Sequence, residues 1–239
     1  DHNGKFYDLS QAHIEKLVRM WQERFEELKR DEKIKYIMPF ENKGKEVGTT
    51  MIHPHGQIYA YAKMPLRLKL ELKNSMDYFK ETGENIFDRL IKEERAFKER
   101  IIFENDSFIV FLPFFANYPF ETYIVAKDKI SSFSDFSDQR VADFAKTLKE
   151  LIKAFDYVYN KPFPYMMAIY QEPVNSPEYA GAHDFYRFNV KFFPPLRGEN
   201  SIKYNASSET AAWVHGNPRR VEETAEELRR AYRSSLDEG

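Results

Sequence analysis

The sequence has 239 residues, 42% of them hydrophobic, which is enough for one large domain or two small ones with a real core. A formal net charge of −2 gives no sign of the basic surface that binds nucleic acid or an anionic membrane. The absence of cysteine excludes disulfides and thiolate chemistry in this stretch, and no apolar run approaches the roughly 20 residues of a membrane span.

The first third of the chain predicts a helix, a strand, a loop and a second strand. Residues 9–30 place apolar side chains at nearly 3.6-residue spacing, and Ser10 is a suitable N-cap. Residues 36–40 read as a strand. The loop "ENKGKEVG" follows, in which Asn42 and two glycines are suited to unusual dihedrals. The stretch "HPHGQ" then leads into a strand, "IYAYA".

The rest of the chain repeats this order after a charged helical linker at residues 67–98. Strands are predicted at 100–106 and within 107–126, a helix at 138–159, strands at 165–170 and 185–193, and a last helix at 220–233. The pattern predicts an α+β fold with an antiparallel sheet, packed helices and two copies of one repeat. We expect residues 1–75 to be the C-terminal part of a first, truncated copy, and 76–239 to hold the linker and a degenerate second copy.

The "HPHGQ" stretch is the strongest candidate for chemistry. In a strand, His53, His55 and Gln57 would share one face, with Pro54 and Gly56 on the other. An imidazole there can act as a nucleophile, a base or a metal ligand. Gln57 can donate to a phosphoryl oxygen without carrying charge. The alternative is that these are ordinary polar residues near a strand end.

The segment "FENKGKEVGTTMIHPHGQIYA" strongly resembles the galactose-1-phosphate uridylyltransferase family, a branch of the histidine-triad superfamily. Three other stretches, "DHNGKFYDLS", "WQERFEEL" and "FNVKFFPPL", are similar to further family segments in the same order. The resemblance implies two histidine-triad-like repeats, of which only the first is catalytic.

The resemblance also implies a mechanism. His55 would attack the α-phosphorus of UDP-glucose, release glucose 1-phosphate and form a covalent uridylyl-histidine. Galactose 1-phosphate would then take the UMP group, giving ping-pong kinetics. A hydrogen bond from the other ring nitrogen of His55 to the His53 carbonyl would fix the reactive tautomer. Related hydrolases carry a third histidine where Gln57 stands, which favours transfer over hydrolysis.

Further substrate contacts follow from the same resemblance. The positions that match contacts to the nucleotide phosphates and ribose are Asn42, Gly48, Thr49 and Thr50. The positions that match hexose contacts are Lys203, Tyr204, Ser208, Glu209 and His215. This second alignment departs from the family pattern at several residues, and a solvated loop is its alternative.

Two metal sites occur in the family, and the sequence treats them differently. A structural zinc would use His2 and His53 together with two cysteines that would lie ahead of residue 1. Two histidines are too few for a closed tetrahedral site, so the sequence leaves open whether the intact protein binds zinc. A second site would use Glu71 and three histidines, but those histidine positions are Tyr170, Asn189 and Lys191. A protonated lysine is a poor ligand, so we predict that this second site is absent and that Glu71 lies on a helix surface.

Two other functions stay open from sequence. One is an adenylyl-transferring enzyme of the same superfamily, such as a sugar-nucleotide or dinucleotide phosphorylase, and the other is a non-catalytic nucleotide-binding protein. The family resemblance implies a homodimer, while the charge and composition predict neither nucleic acid nor membrane as a partner. Because it lacks cysteine, the chain fits a reducing compartment, and we expect a cytoplasmic protein.

Overall fold

The computed structural model describes residues 4–49 and 53–237, which fold into one large sheet with helices on both faces. The strands are β1 Tyr36–Lys43, β2 Gly56–Tyr61, β3 Ile101–Glu104, β4 Phe108–Phe111, β5 Thr122–Ala126, β6 Tyr165–Tyr170, β7 Asn189–Phe193, β8 Leu196–Gly198 and β9 Ser201–Ile202. The α-helices are α1 Gln11–Leu28, α2 Leu66–Thr82, α3 Ile86–Phe97, α4 Asp138–Val158, α5 Ala182–Phe185, α6 Ser208–Ala212 and α7 Val221–Asp237. Within these ranges no helix has the length and apolar character needed to cross a bilayer.

The main sheet has seven strands in the order β2-β1-β6-β7-β5-β4-β3, and every neighbouring pair is antiparallel. Strand β1 pairs with β6, so strands from both ends of the chain share one sheet. The predicted α+β class, with an antiparallel sheet and packed helices, is therefore confirmed. The duplication and the division at residue 75 stay predictions.

The amphipathic helices form where their periodicity predicts them. In α1 the buried residues are Ile14, Val18, Trp21 and Phe25, and the Ser10 side chain accepts a hydrogen bond from the His13 backbone N–H. This cap satisfies one of the free donors of the first turn. The predicted helix at residues 9–30 is confirmed to within two residues at each end.

Several local features differ from the predictions. The strand predicted at 185–193 begins only at Asn189, because Phe185 belongs to α5. The charged linker is divided into α2 and α3, because Gly83 adopts a left-handed conformation (φ 72°) and Asn85 caps the next helix through Phe87 N–H. Strand β1 continues through Asn42 to Lys43, so Asn42 is extended rather than part of a turn. Only Gly44 and Gly48 in this loop take positive φ angles.

The sheet separates two cores because alternate side chains of each strand point to opposite faces. Helices α1, α4 and α7 cover one face, where the larger and Phe-rich core lies. Helices α2, α3 and α5 cover part of the other face, where Leu68 packs with Tyr36 and Tyr170. Gln57 pairs with Phe40 and points to this second face, at the edge of the sheet formed by β2.

Candidate functional site

The "HPHGQ" stretch lies at the start of the edge strand β2. Strand pairing begins at Gly56, which faces Glu41, and continues with Gln57 opposite Phe40. His53 and His55 precede the strand, so the expected continuous alternation from His53 to Gln57 is wrong for the two histidines. Pairing between β1 and β2 stops at the Glu41–Gly56 pair, although β1 itself continues to Lys43 alongside β6.

The His55 imidazole is held in one tautomer. Its Nδ1 lies 3.0 Å from the carbonyl oxygen of His53. A carbonyl oxygen only accepts hydrogen bonds, so Nδ1 must carry the proton and donate it. In the neutral ring, Nε2 therefore keeps its lone pair, which is the form a nucleophile needs. The predicted hydrogen bond from His55 to the His53 carbonyl is confirmed.

Gly56 and Gln57 have distinct roles at this strand start. A Cβ on Gly56 would lie 3.0 Å from the Phe40 carbonyl oxygen, so the close approach of β1 favours glycine here. The Gln57 side chain is exposed, and its carboxamide makes no hydrogen bond with residues 4–49 or 53–237. Its two N–H groups are available to an oxygen of a ligand.

The loop between β1 and β2 is shaped by its two glycines. Gly44 and Gly48 have φ angles of 102° and 82°, and residues Lys45–Val47 between them form a turn of 3₁₀-helix. The Thr49 hydroxyl donates to the Asn42 carbonyl oxygen at 3.1 Å. Asn42, Gly48 and Thr49 are thus brought together beside β2, whereas Thr50 lies outside the described residues.

Glu41 is a buried carboxyl group next to the reactive stretch, and no motif in the sequence singled it out. It is only 7% exposed, and Tyr165 donates a hydrogen bond to its Oε1 at 3.1 Å. Burial raises the pKa of Glu41 to about 7, against the opposing influence of that hydrogen bond and of the nearby Lys43 and His55 side chains. A charged residue on the core-facing side of β1 was the signal in the sequence.

The predicted hexose contacts form a separate group near the C-terminus. Lys203, Tyr204 and Glu209 line a cavity of about 550 Å³ beside α6. Lys203 Nζ donates to Glu209 Oε1 at 2.7 Å, and this hydrogen bond, together with one from Gly216 N–H, lowers the pKa of Glu209 to about 2. Tyr204 is 73% exposed.

The remaining two predicted hexose contacts do not line this cavity. Ser208 begins the short helix α6, and His215 is exposed. Within the described part of the chain, no hydrogen bond or ion pair joins these five residues to His55 or Gln57.

The described residues do not form a metal site of the family type. Residues 4–49 and 53–237 contain no group of three or more side chains that could hold a metal ion. His53 lines a cavity of about 560 Å³ with residues that include Lys5, Asp8 and His13, while His2 lies outside the described residues. Of the family's zinc-ligand positions, the described residues therefore contain only His53. One ligand is too few for a closed tetrahedral zinc site, so the described residues do not fit zinc.

The position of Glu71 corrects the prediction of a free helix-surface residue. Its carboxylate is paired with the ammonium of Lys191 at 2.5 Å and accepts a hydrogen bond from the Tyr186 hydroxyl at 2.7 Å. Lys191 is 3% exposed, and its Nζ lies 4.1 Å from the centre of the Tyr170 ring. Burial lowers the pKa of Lys191, which the negative charge of Glu71 opposes.

Comparison with known proteins places the chain in a family. Residues 1–65 match the N-terminal domain, and residues 71–206 the C-terminal domain, of galactose-1-phosphate uridyl transferase. The galactose-1-phosphate uridylyltransferase of Thermotoga maritima is 36% identical over 229 residues, which are 96% of this chain and 70% of that protein. The chain spans 63% and 56% of the length of the next two curated relatives.

Two solved structures share the fold of this chain. A structure described as uridylyltransferase has a TM-score of 0.90 at 28% identity, covering 98% of this chain and 72% of that one. An ADP-glucose phosphorylase from Arabidopsis thaliana with bound ADP-glucose has a TM-score of 0.82 at 25% identity, covering 96% and 70%. The chain belongs to the galactose-1-phosphate uridylyltransferase family of nucleotidyltransferases.

Proposed function

We propose that the protein exchanges UMP between UDP-glucose and galactose 1-phosphate through a covalent uridylyl-histidine on His55. The observation that carries this proposal is the 3.0 Å contact from His55 Nδ1 to the His53 carbonyl, which leaves Nε2 as the free nitrogen. Family membership supports the same chemistry. We therefore assign His55 as the nucleophile and His53 as the residue that positions it.

The exchange consists of two displacements at one phosphorus atom. Nε2 of His55 attacks the α-phosphorus of UDP-glucose, a P–N bond forms, and the P–O bond to glucose 1-phosphate breaks. A phosphate oxygen of galactose 1-phosphate then attacks the same phosphorus and returns the electron pair of the P–N bond to Nε2. Because the first product leaves before the second substrate reacts, the kinetics are ping-pong.

Gln57 and the glycine loop supply the neutral donors this chemistry needs. The free N–H groups of the Gln57 carboxamide would bind the non-bridging phosphoryl oxygens, and they carry no charge that would activate a water. We assign Asn42, Gly48, Thr49 and Thr50 to the nucleotide phosphates and ribose. Support for three of them comes from the Thr49 hydrogen bond to Asn42 and the left-handed Gly48, which form one short loop beside β2.

We further infer a cytoplasmic homodimer. Among the described residues, the hexose contacts assigned to Lys203, Tyr204, Ser208, Glu209 and His215 form no hydrogen bond or ion pair with His55 or Gln57, and Tyr204 is largely exposed. A second copy would let them complete the partner's site. Sedimentation velocity should give twice the mass of one chain, and loss of activity on dilution below the dimer dissociation constant would support the shared site.

We also infer that residues 1–75 belong to the first repeat and 76–239 to the linker and the second repeat. A structural zinc in the intact protein would need ligands beyond those described here, so metal content must be measured directly. Elemental analysis of the purified protein separates the cases: one zinc per chain supports the structural site, and none refutes it. We propose that no metal occupies the position of Glu71, Tyr170, Asn189 and Lys191.

Intact-protein mass spectrometry tests the proposed reaction. The protein is mixed with UDP-glucose and quenched at alkaline pH, because a phosphohistidine bond is labile to acid. We expect a gain of one UMP that is absent in His55→Ala. Denatured protein with no adduct, although the native protein binds UDP-glucose, would refute catalysis and favour a non-catalytic nucleotide-binding protein.

The alternative nucleotide is tested in the same experiment. Adenylyl transfer stays a candidate because an ADP-glucose phosphorylase shares the fold at a TM-score of 0.82. ADP-glucose is therefore run in parallel with UDP-glucose. A gain of AMP with no gain of UMP would assign the protein to the adenylyl-transferring enzymes, and the reverse supports uridylyl transfer.

A further inference from the structure

A third cavity, apart from those at His53 and at Lys203, lies on the partly covered face of the sheet. Its volume is about 580 Å³, within the range of small-molecule sites. It is enclosed by α2, α3, the loop ahead of β5 and the face of the sheet. The aromatic and aliphatic side chains of Phe87, Leu90, Phe114 and Phe115 form much of its wall.

The sheet register separates this cavity from the reactive stretch. Lys191 at its floor pairs with Ala168, Ala168 pairs with Phe40, and Phe40 pairs with Gln57. Three inter-strand spacings of ~4.8 Å each place Lys191 about 14 Å from Gln57. The cavity is therefore a separate site rather than an extension of the phosphate position at His55.

Among the basic residues that line the cavity, Arg67 alone forms no ion pair with a residue that the structure describes. Three of its basic residues are ion-paired: Arg89 with Glu93 at 2.7 Å, Arg100 with Glu94 at 3.0 Å, and Lys191 with Glu71 at 2.5 Å. Arg67 makes no hydrogen bond or ion pair with any described residue, and its guanidinium lies 5.2 Å from the centre of the Phe193 ring. A guanidinium presents a planar set of donors that matches a carboxylate or a phosphate.

The hydroxyl group of a tyrosine that lines the same cavity is also available to a ligand. Tyr123 lines the cavity and is only 4% exposed. Its hydroxyl forms no hydrogen bond with residues 4–49 or 53–237. This hydroxyl can therefore donate a hydrogen bond to a molecule bound in the cavity.

From these observations we infer that the cavity binds a small organic anion with an apolar body. Arg67 binds the carboxylate or phosphate of the ligand, and Tyr123 donates a hydrogen bond to it. Phe87, Leu90, Phe114 and Phe115 enclose the apolar part. The inference concerns a second site and does not depend on the reaction proposed for His55.

Calorimetric titration with three matched probes tests the inference. The probes are 2-naphthoate, 2-naphthyl phosphate and the uncharged 2-naphthamide. We expect one molecule of an anionic probe to bind per chain, and the amide to bind at least about 10-fold more weakly because it lacks the charge that pairs with arginine. The stronger of the two anions identifies the natural headgroup as carboxylate or phosphate.

Variants locate the bound probe. Arg67→Ala should weaken binding about 10- to 100-fold and Tyr123→Phe about 2- to 10-fold, in line with charged and neutral hydrogen bonds. Arg89→Ala is the control, because that side chain is already ion-paired, and should change binding less than 2-fold. Leu90→Trp fills the cavity and should abolish binding in a protein whose circular dichroism is unchanged. Equal binding of the amide, or full binding by Arg67→Ala, would overturn the inference.

Discussion

The buried carboxyl group of Glu41 should make the stability of this protein depend on pH, and Glu41→Gln should remove that dependence. Glutamine keeps an oxygen that accepts the hydrogen bond from Tyr165, and it removes the ionisable group. The variant therefore isolates the cost of burying the charge. The shape of the side chain and its hydrogen bond change little.

The magnitude follows from the two pKa values. Burial raises the pKa of Glu41 from 4.5 to about 7 in the folded protein. Each tenfold change in proton affinity is about 1.4 kcal/mol, so ionised Glu41 costs about 3 kcal/mol of the free energy of unfolding. Because the folded pKa is the higher one, the stabilisation by the bound proton is complete below pH 4.5 and is lost as the pH rises through 7.

Urea unfolding at pH 5 and pH 8, followed by circular dichroism, measures the effect. Between these values the wild type should lose up to about 3 kcal/mol relative to Glu41→Gln, so the variant is the more stable protein at pH 8. Glu23→Gln, at an exposed position of α1, is the control and should show the wild-type dependence. If the free energy of unfolding changed equally with pH in the wild type and in Glu41→Gln, the reasoning would be refuted.

Three further substitutions have expected outcomes, each measured by urea unfolding. Asp88→Ala removes the 2.6 Å partner of Arg187, which is 1% exposed, and should cost about 2–4 kcal/mol, whereas replacing both by apolar residues should cost less. Gly44→Ala puts a Cβ 2.7 Å from Pro164 at a φ of 102° and should cost more than Gly83→Ala, which has a φ of 72° and no heavy atom within 4 Å. Lys191→Met should cost about 2–3 kcal/mol, and glutamine in place of its carboxylate partner should restore most of that loss.

Periodicity was sufficient to predict the long helices α1, α4 and α7 and most strands. The apolar stripe of α1 and its Ser10 cap are local features, and local features determine where an amphipathic helix begins and which face it buries. The hydrogen bond of His55 could be predicted for the same reason, because its partner is two residues away. The start of β2 could not, since it depends on where β1 runs alongside it.

Long-range pairings explain the other differences. Glu71 was predicted to lie on a helix surface, but its cation is 120 residues away along the chain and reaches it only through the packing of α2 on the sheet. The burial of Glu41 depends on Tyr165, which is 124 residues away. No local sequence pattern identifies either partner. The strongest sequence indication of such a buried pairing is a charged residue at a core-facing position.

The two faces of the sheet have different consequences for variation in this chain. Substitutions in the core beneath α1, α4 and α7 change the free energy of unfolding and leave Gln57 and its neighbours on the opposite face unaltered. Substitutions beneath α2 and α3 alter the cavity at Arg67 and the face that carries Gln57 at the same time. A library that diversifies only the residues beneath α1, α4 and α7 should therefore yield many proteins with a changed melting temperature and an unchanged substrate specificity. A library confined to the residues beneath α2 and α3 should yield many proteins with a changed specificity.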